Sequence, residues 1–323
     1  MSARAPATVV IPNWNGLRWL DGVLGSLERQ TLPAAEVVVV DNGSEDGSRS
    51  HLAERWPAAR VLALDRNHGF AVAANRGIAA SATPYVALVN TDVLLAPDWL
   101  ERTVTALEAH PEAAAVATKM VDLEDPQRLY DTGDVMRRDG ACEQRGRFRR
   151  DDGRWDEPGE VWAACAGAAL YRRAALDAAG GFDERLFSYL EDVDLGLRLR
   201  LQGWTCRYEP AVARHASEGS SGALRRPVAG WVERNTLLLV AKHFPARWLP
   251  YVAYRQAGWA WHALRAGRLR AHLGGALAAL PLLPAMLRER RTLRERARVP
   301  IERAIPARPL RGPRAGGHPL AEH

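Results

Sequence analysis

The chain has 323 residues, of which 47% are hydrophobic and 25% are charged. These fractions are ordinary for a folded globular domain, and they argue against a largely disordered or membrane-embedded chain. The net charge of +6 at pH 7 predicts an anionic partner such as a nucleotide, a phospholipid surface or a nucleic acid. Three widely spaced cysteines without a C-x-x-C pair favour a reducing compartment, and no signal-peptide pattern is visible.

Short apolar segments rich in β-branched residues alternate with helical patterns at the beginning of the chain. Buried strands are predicted at residues 7–12, 36–40, 60–64 and 85–89. Strands that are apolar throughout and separated by helices predict an α/β fold, with a mostly parallel, Rossmann-like sheet and helices on both faces. Ligands bind beyond the carboxyl ends of such strands, and Asp41, Asn67 and Asp92 are expected at those ends.

The rest of the chain divides by composition. Residues 119–160 are polar and irregular and could hold a strand or hairpin. The predicted organisation is a catalytic domain at 1–230 with halves at 1–118 and 119–230, a helical segment at 231–298, and a disordered tail at 299–323.

Two acids at predicted strand ends could bind a ligand. Asp41 could accept hydrogen bonds from a base or a ribose, and Asp92 could hold a divalent cation that shares oxygens with a diphosphate. Each acid, taken alone, is equally well explained as a turn or capping residue. The glycine-containing turn RNHGFAVAANRG matches neither a phosphate-binding P-loop nor a G-x-G-x-x-G fingerprint, which argues against those two nucleotide-binding classes.

A second acidic feature is the sequence LEDVDLGLRLR, in which Glu191, Asp192 and Asp194 lie within four residues. Mutual repulsion raises the proton affinity of such carboxyl groups, which suits a general base. A solvated helix start, where acids favour the helix dipole, is the alternative. His215 follows in a polar segment and, taken alone, is typical of a surface residue.

The segments VVIPNWNG, VVVVDNGSEDGS, NHGFAVAANRG, LVNTD, AGAALYRR and GGFDERLFSYLEDVDLGLRLRLQGW occur in this order before His215. Together they resemble family 2 glycosyltransferases with the GT-A fold, and most of all the bacterial rhamnosyltransferase-like branch. The resemblance covers about residues 7–240. It implies an inverting hexosyltransferase that uses a nucleotide-sugar donor and a divalent metal ion, Mg²⁺ or Mn²⁺.

The resemblance also implies which residues bind the nucleotide sugar. The implied nucleotide contacts are Pro12, Trp14, Asn15, Asp41, Gly69 and Asn75. Asp41 matches the carboxylate that binds a uracil or thymine base, and Gly167 matches the loop near the donor sugar. Trp14 stands where many members carry tyrosine, and aromatic stacking survives that change.

The implied metal and catalytic residues fall on two motifs. Asn90 and Asp92 match the D-x-D motif, whose last acid holds the metal, and His215 matches a histidine that completes the metal site in some members. Asn90 departs from the pattern because it removes one negative charge, which could lower the affinity for metal. Asp192 matches the general base, and Glu191 is its neighbour in the E-D motif.

The C-terminal segment is strongly basic. Between Lys242 and Arg298 there are twelve lysines and arginines but only two acids, and tryptophans and tyrosines are interleaved among them. This pattern predicts amphipathic helices that lie on an anionic membrane surface. The alternative is a solvated helical appendage that packs on the catalytic domain. Nucleic-acid binding is disfavoured because no recognised module is present.

Three hypotheses of function follow. The first is a transfer of rhamnose from dTDP-rhamnose to a lipid-linked or cell-envelope glycan acceptor, at the inner face of the plasma membrane. The second is a polyprenyl-phosphate glycosyl synthase, a group whose usual C-terminal helices differ from this segment. The third is a catalytically silent protein that binds a nucleotide sugar, which the retention of Asp92 and Asp192 disfavours.

Overall fold

The computed structural model describes residues 4–216 and 228–307. In chain order the strands are β1 (Ala5–Asn13), β2 (Ala34–Asp41), β3 (Arg60–Ala63), β4 (Tyr85–Val89), β5 (Val93–Leu95), β6 (Ala113–Asp122), β7 (Leu129–Asp131), β8 (Asp134–Met136), β9 (Cys142–Gln144), β10 (Gly159–Val161), β11 (Ala168–Arg172) and β12 (Thr205–His215). The helices are α1 (Leu17–Glu28), α2 (Ser48–Arg55), α3 (Phe70–Ala80), α4 (Trp99–Ala109), α5 (Arg173–Ala179), α6 (Glu191–Leu201), α7 (Val228–His243), α8 (Leu249–Arg265), α9 (Leu269–Ala279), α10 (Leu283–Arg296) and α11 (Ile301–Ala304).

One large sheet organises the molecule, with the strand order β10-β12-β6-β11-β4-β1-β2-β3. The four predicted strands are β1 to β4, and they pair in parallel. β11 is antiparallel to both of its neighbours, β4 and β6, whereas β12 pairs with β6 in parallel. The expected α/β fold with a mostly parallel sheet is therefore confirmed, with a mixed second half.

Helices cover both faces of this sheet, as the two sides of β1 illustrate. Val9 packs in a core cluster with residues of α1 and α4, whereas its neighbour Val10 packs in a second cluster with residues of α3, α5 and α6. Successive side chains of a strand point to opposite faces, and both valines are fully buried. This explains why the strand is apolar throughout rather than alternating in polarity.

The C-terminal helices form a further layer against α6. Leu238 of α7 and Met286 of α10 are fully buried in one cluster with Val193 and Leu197 of α6. The segment at 231–298 thus packs on the catalytic domain through one side.

The beginning of the tail differs from the expected disorder. Residues 299–307 include α11, and the indole N–H of Trp162 donates a hydrogen bond of 2.6 Å to the carbonyl of Ala304. Ile305 is fully buried, so apolar contacts outweigh the Pro- and Arg-rich composition at this point. The remainder of the expected tail, residues 308–323, lies outside the described residues.

One helical stretch among the described residues, Leu269–Arg296, is long and apolar enough to cross a membrane by length and composition alone. Only 22% of its most apolar window is buried inside the molecule. It includes α9 and α10, and α10 contributes the buried Met286 noted above.

Candidate active site

Asp41 lies at the end of β2, beside the end of β1, and it is fully buried. Its carboxylate accepts hydrogen bonds from Nδ2 of Asn13 (3.0 Å) and from the backbone N–H of Ser44 (3.2 Å). The guanidinium of Arg49 approaches to 3.1 Å from the exposed side. The carboxylate is therefore held rigidly at the edge of the sheet where the predicted nucleotide site lies.

The loop after β1 carries three of the implied nucleotide contacts. The carbonyl of Pro12 accepts a hydrogen bond of 2.9 Å from the hydroxyl of Thr91. Trp14 is half-buried, and Asn15 is exposed in the left-handed region with a φ of 50°. Oδ1 of Asn15 accepts a hydrogen bond from the backbone N–H of Glu45 (2.8 Å), which ties this loop to the turn after β2.

The turn before α3 meets the segment before α6. Gly69 has a φ of 91°, and a Cβ added there would lie only 2.5 Å from the carbonyl oxygen of Phe187, so only glycine fits. Asn75 lies in the second turn of α3. Its Oδ1 accepts a hydrogen bond from the N–H of Phe182 (2.9 Å), and its Nδ2 donates one to the carbonyl of the same residue (2.9 Å). In this structure the Asn75 amide thus joins α3 to the loop after α5, which is a structural contact.

The implied metal residues converge at the far end of β12. Nε2 of His215 lies 3.5 Å from Oδ1 of Asp92, and both side chains are buried. Among the described residues, Oδ1 of Asp92 has no hydrogen-bond partner. The ring of Tyr130 stacks on His215 with centroids 4.1 Å apart. Asn90 is half-buried nearby, and its backbone N–H donates 2.8 Å to the carbonyl of Gly167.

Asp192 lies in the first turn of α6. Its Oδ2 accepts a hydrogen bond from the backbone N–H of Ala166 (3.1 Å), and its Oδ1 accepts one from the N–H of Val193 (2.8 Å). Burial nevertheless raises the pKa of Asp192 above its ordinary value. Burial also raises the pKa of the adjacent Glu191, and the charge of Asp192 adds to that shift. A fixed carboxylate with raised proton affinity fits the role of a general base.

The backbone that delivers α6 is strained. Phe187, Tyr189 and Leu190 all have φ values between 64° and 71°, the left-handed region that non-glycine residues rarely adopt. Nδ2 of Asn235 on α7 donates to the carbonyls of this turn, at 2.6 Å for Tyr189. It also donates to the carbonyls of Leu186 and Ser188, each at 2.9 Å. The C-terminal layer thus holds the turn from which the candidate base projects.

Two further acids lie beside Asp192, and sequence reasoning missed both. Burial raises the pKa of Asp131 to about 7, and burial together with the charge of Asp131 raises the pKa of Asp134. Ligand atoms of Asp134, Cys165 and Asp192 lie within 4.8 Å of one another. The only sequence signal was the pair of acids around a glycine in DTGD, inside the segment expected to be irregular. We call Asp131, Asp134, Glu191 and Asp192 the acid cluster.

Asp194, the third acid of the sequence motif, faces a different environment. Its carboxylate accepts hydrogen bonds from Nε of Arg198 (2.7 Å), Nζ of Lys242 (3.0 Å) and Nε2 of His243 (2.7 Å). Lys242 also bonds Asp183 at 2.7 Å. We call Asp183, Asp194, Arg198, Lys242 and His243 the ion-pair network. The two named cations and the histidine would compete with any substrate for Asp194, so this acid is structural.

The geometry combines three features at one edge of a GT-A-like sheet. They are the buried carboxylate of Asp41, an Asp–His pair suited to a cation, and the half-buried carboxyl group of Asp192 with raised proton affinity. These are the parts of an enzyme that activates a hydroxyl against a phosphorylated donor. Comparison with known proteins agrees. The family model "Glycosyl transferase family 2" matches residues 8–180. The chain therefore belongs to glycosyl transferase family 2, and it is an inverting-type glycosyltransferase.

Relatives of known sequence are similar over most of the chain. The chain is 31% identical over 284 residues to an N-acetylglucosaminyl-diphospho-decaprenol L-rhamnosyltransferase of Mycobacterium tuberculosis, covering 80% of this chain and 86% of that protein. It is 29% identical over 280 residues to a pre-mycofactocin glycosyltransferase of the same species, covering 80% of this chain but 53% of that protein. The first of these similarities places the chain near the rhamnosyltransferases of the family.

Solved structures share the fold. A structure of GalNAc-T7 with UDP, GalNAc and Mn²⁺ matches with a TM-score of 0.63 and 15% identity, over 78% of this chain; the chain spans about half of that protein (50%). The mannosyltransferase PcManGT of Pyrobaculum calidifontis, with GDP-Man and Mn²⁺, matches with a TM-score of 0.52 and 19% identity, over 90% of this chain and 86% of that one. At these identities the likeness concerns the fold alone.

Proposed function

We propose that the chain transfers a sugar, rhamnose from dTDP-rhamnose, to a hydroxyl group of a lipid-linked or cell-envelope glycan, with Asp192 as the general base. The observation that carries the proposal is the Asp192 carboxyl group, which is half-buried and fixed by two backbone N–H groups. The mycobacterial relative is named for the transfer of rhamnose to a diphospho-decaprenol-linked sugar, and this name supports the sugar and the acceptor class.

The reaction requires a poor nucleophile to be activated. An acceptor hydroxyl attacks the anomeric carbon while the nucleoside diphosphate leaves, and a positioned base that takes the hydroxyl proton accelerates such a step by about 10²–10⁴-fold. The raised pKa of Asp192 increases its affinity for that proton once the group is ionised. Because Asp192 acts as a base and not as a nucleophile, a single displacement inverts the anomeric centre.

The residues at the end of β12 fit a divalent cation. Asp92 has a buried carboxylate oxygen without a hydrogen-bond partner among the described residues, and an imidazole nitrogen of His215 lies 3.5 Å from it. Carboxylate oxygen and imidazole nitrogen are ligands that Mn²⁺ accepts, and carboxylate oxygen also suits Mg²⁺. When bound, the metal would neutralise charge on the diphosphate leaving group. Asp92 and His215 orient and hold that end of the donor.

The donor can be tested with purified protein. Titration of dTDP-rhamnose, UDP- and GDP-sugars in the presence of Mn²⁺ should show the tightest binding for dTDP-rhamnose. Asp92→Ala should weaken this binding about tenfold or more and shift the Mn²⁺ dependence to higher concentration, because a hard cation loses its anionic ligand. The exposed-surface variant Asp177→Ala is the control. Binding of no nucleotide sugar by the wild type would contradict the proposed function.

The proposed acceptor requires a membrane, and one face of the C-terminal layer fits one. Large hydrophobic side chains that are exposed cluster in α8 to α10, including Trp261 (62% exposed) and Leu277 (65%). Every exposed large hydrophobic side chain of the described residues lies between Leu249 and Leu287. Exposed arginines such as Arg265 and Arg270 lie in the same region. An apolar face with basic residues suits an anionic bilayer, so we propose a peripheral protein at the cytoplasmic face of the plasma membrane.

Deleting the segment is a poor test of this proposal because Met286 and Ile305 belong to the core. Point substitutions avoid that problem. The double variant Trp261→Ser/Leu277→Ser should lose most binding to vesicles of phosphatidylglycerol and phosphatidylcholine, because the buried apolar area falls. Arg265→Gln/Arg270→Gln should weaken binding at low salt by about 1 kcal/mol per charge.

The matched control for the charges is Arg55→Gln/Arg66→Gln on the catalytic domain, which should leave vesicle binding unchanged. Sedimentation with vesicles and the unfolding temperature are measured for each variant. If all of them sediment like the wild type, the exposed face does not bind lipid.

A further inference from the structure

We infer that Arg147 is a diphosphate-binding residue of the active site. The inference deepens the proposed function, since it supplies a second cationic contact for the diphosphate of a substrate. No motif of the sequence singled out this arginine, which lies in the loop after β9.

The first observation is the path from Arg147 to the candidate metal residues. The guanidinium carbon of Arg147 lies 4.7 Å from the centre of the Tyr130 ring. Tyr130 stacks on His215 with ring centres 4.1 Å apart, and His215 lies 3.5 Å from Asp92. Arg147, the rings of Tyr130 and His215, and Asp92 thus form one chain of contacts, which links Arg147 to the candidate metal residues.

The second observation is that the guanidinium has unused hydrogen-bonding capacity. Its Nε is buried without a partner among the described residues, although Nη1 donates to the side chain of Gln144. Its other close neighbours are the side chain of Tyr130, with which it also interacts through a hydrogen bond, and the ring of Phe148. Its charge also acts on Asp131 and Asp134, with which it forms no ion pair within the described part of the chain. A guanidinium that lies over aromatic rings stays charged and presents its planar edge to a ligand. A structural arginine would more usually have its donors satisfied.

The third observation is the backbone that presents the side chain. Gly146 has a φ of 81° and Phe148 a φ of 62°, so left-handed residues flank Arg147 on both sides. The N–H of Phe148 bonds the carbonyl of Leu129, which fixes this turn against the strand that carries Tyr130. A left-handed phenylalanine is unfavourable, and such conformations cluster at ligand-binding positions.

These observations fit a diphosphate better than a carboxylate or a neutral sugar. Arginine binds phosphate oxygens with two parallel N–H donors, and these charge-assisted bonds are about twice as strong as neutral ones. Two substrates of the proposed reaction could supply the group: the nucleoside diphosphate that leaves, or a lipid diphosphate that carries the acceptor sugar. In either case the guanidinium of Arg147 would neutralise negative charge on the diphosphate group, next to the candidate metal residues.

The test compares Arg147→Gln and Arg147→Lys with Arg149→Gln, an exposed arginine of the same turn. Binding of dTDP, of inorganic diphosphate and of thymidine is measured calorimetrically in the presence of Mn²⁺, and the KM for a lipid-diphosphate acceptor is measured separately. We expect Arg147→Gln to weaken either dTDP or acceptor binding about tenfold or more. Arg147→Lys should be intermediate, and Arg149→Gln should resemble the wild type.

These measurements distinguish the diphosphate of the donor from that of the acceptor, and both from a purely structural role of Arg147. Weaker binding of dTDP and inorganic diphosphate, with thymidine unchanged, assigns Arg147 to the donor; a raised acceptor KM alone assigns it to the acceptor. If Arg147→Gln binds both substrates like the wild type, or if thymidine binding and the unfolding temperature fall by as much as dTDP binding, the inference is wrong. Failure of the wild type to bind any nucleotide would instead refute the proposed function.

Discussion

Asp192 and Asp194 lie two residues apart in α6, and their surroundings are opposite. Asp192 belongs to the acid cluster, and none of the ion pairs formed within the described part of the chain includes a member of that cluster. Asp194 is fully buried and bonded to Arg198, Lys242 and His243. Burial raises the pKa of Asp192, whereas the cations Arg198 and Lys242, with a hydrogen bond to His243, lower the pKa of Asp194 well below its ordinary value.

The difference shows how one helix turn can hold both a reactive and an inert carboxyl group. Desolvation disfavours a carboxylate, and a nearby cation reverses that effect. An acid without a cationic partner therefore keeps a high affinity for a proton, which a general base requires. An acid paired with cations has a low affinity for a proton near neutral pH. Asp131, Asp134 and Glu191 are buried without an ion-pair partner among the described residues, which costs stability. The ion-pair network joins α6 to α7.

The variant Asp192→Asn should have the largest effect, because it removes the candidate base. The amide keeps the shape and can still accept the hydrogen bond from Ala166, but it cannot take a proton. We expect kcat to fall by about 10²–10⁴-fold with the donor affinity within about twofold of the wild type. Steady-state transfer kinetics and donor calorimetry check this, with Asp177→Asn as the control. Transfer within threefold of the wild-type rate would remove Asp192 from the role of base.

Lys242→Met should affect stability instead of chemistry. It leaves Asp183 and Asp194 buried with one cation fewer, and removal of one partner from a buried pair destabilises by about 3–5 kcal/mol. Because Asp194 keeps Arg198, we expect a loss of about 3 kcal/mol in the free energy of unfolding in urea. The control is Arg291→Met, whose pair with Glu295 is largely exposed and should contribute less than about 1 kcal/mol. If the two variants lose the same free energy of unfolding, the ion-pair network stabilises the fold no more than an exposed ion pair does.

The parallel half of the fold could be predicted because each of its strands is a continuous apolar segment. The positions of Asp41 at the end of β2 and of Asp92 after β4 could be predicted for the same reason. β7 to β9 could not be predicted in detail, since strands of three residues carry too little pattern. Asp131 and Asp134 lie there, and the sequence gives no signal that they approach Asp192.

The different roles of Asp192 and Asp194 within one motif could not be predicted from the sequence either. Glu191, Asp192 and Asp194 appeared as one acidic group, and only the fold shows that Lys242, about fifty residues later, neutralises one of them. The bonds between the Asn75 amide and Phe182 are a second long-range contact that the sequence does not indicate, and the role of Asn75 in binding the nucleotide stays a prediction. Long-range contacts of this kind depend on how α3, α6 and α7 meet, which local patterns do not encode.

The variant Asp131→Asn should have the smallest effect of the three, and it tests the raised pKa of a member of the acid cluster. The folded-state pKa of Asp131 is about 7, above its ordinary value of 3.8, so between about pH 4 and 7 the folded protein keeps a proton that the unfolded chain has released. The contribution of Asp131 to stability therefore falls as the pH rises through that window. Asp194 behaves in the opposite way, because its pKa is lowered well below the ordinary value of 3.8. Its contribution to stability is complete above pH 3.8, and it is lost as the pH falls towards the lowered pKa.

Asn has no proton to release, so Asp131→Asn should flatten the decline in stability between pH 4.5 and 7 and gain at least about 1 kcal/mol near pH 7. Urea unfolding at several pH values measures this, with Asp177→Asn as the control; an unchanged slope would refute the raised pKa. Below about pH 7 Asp131 keeps its proton in the folded protein, so it carries no negative charge while Asp192 ionises; the charge of Asp192 instead raises the pKa of Asp131. The variant should therefore leave the pH at which kcat rises unchanged below about pH 7. A downward shift of that pH would mean that Asp131 is ionised beside the base, and it would contradict the raised pKa of Asp131.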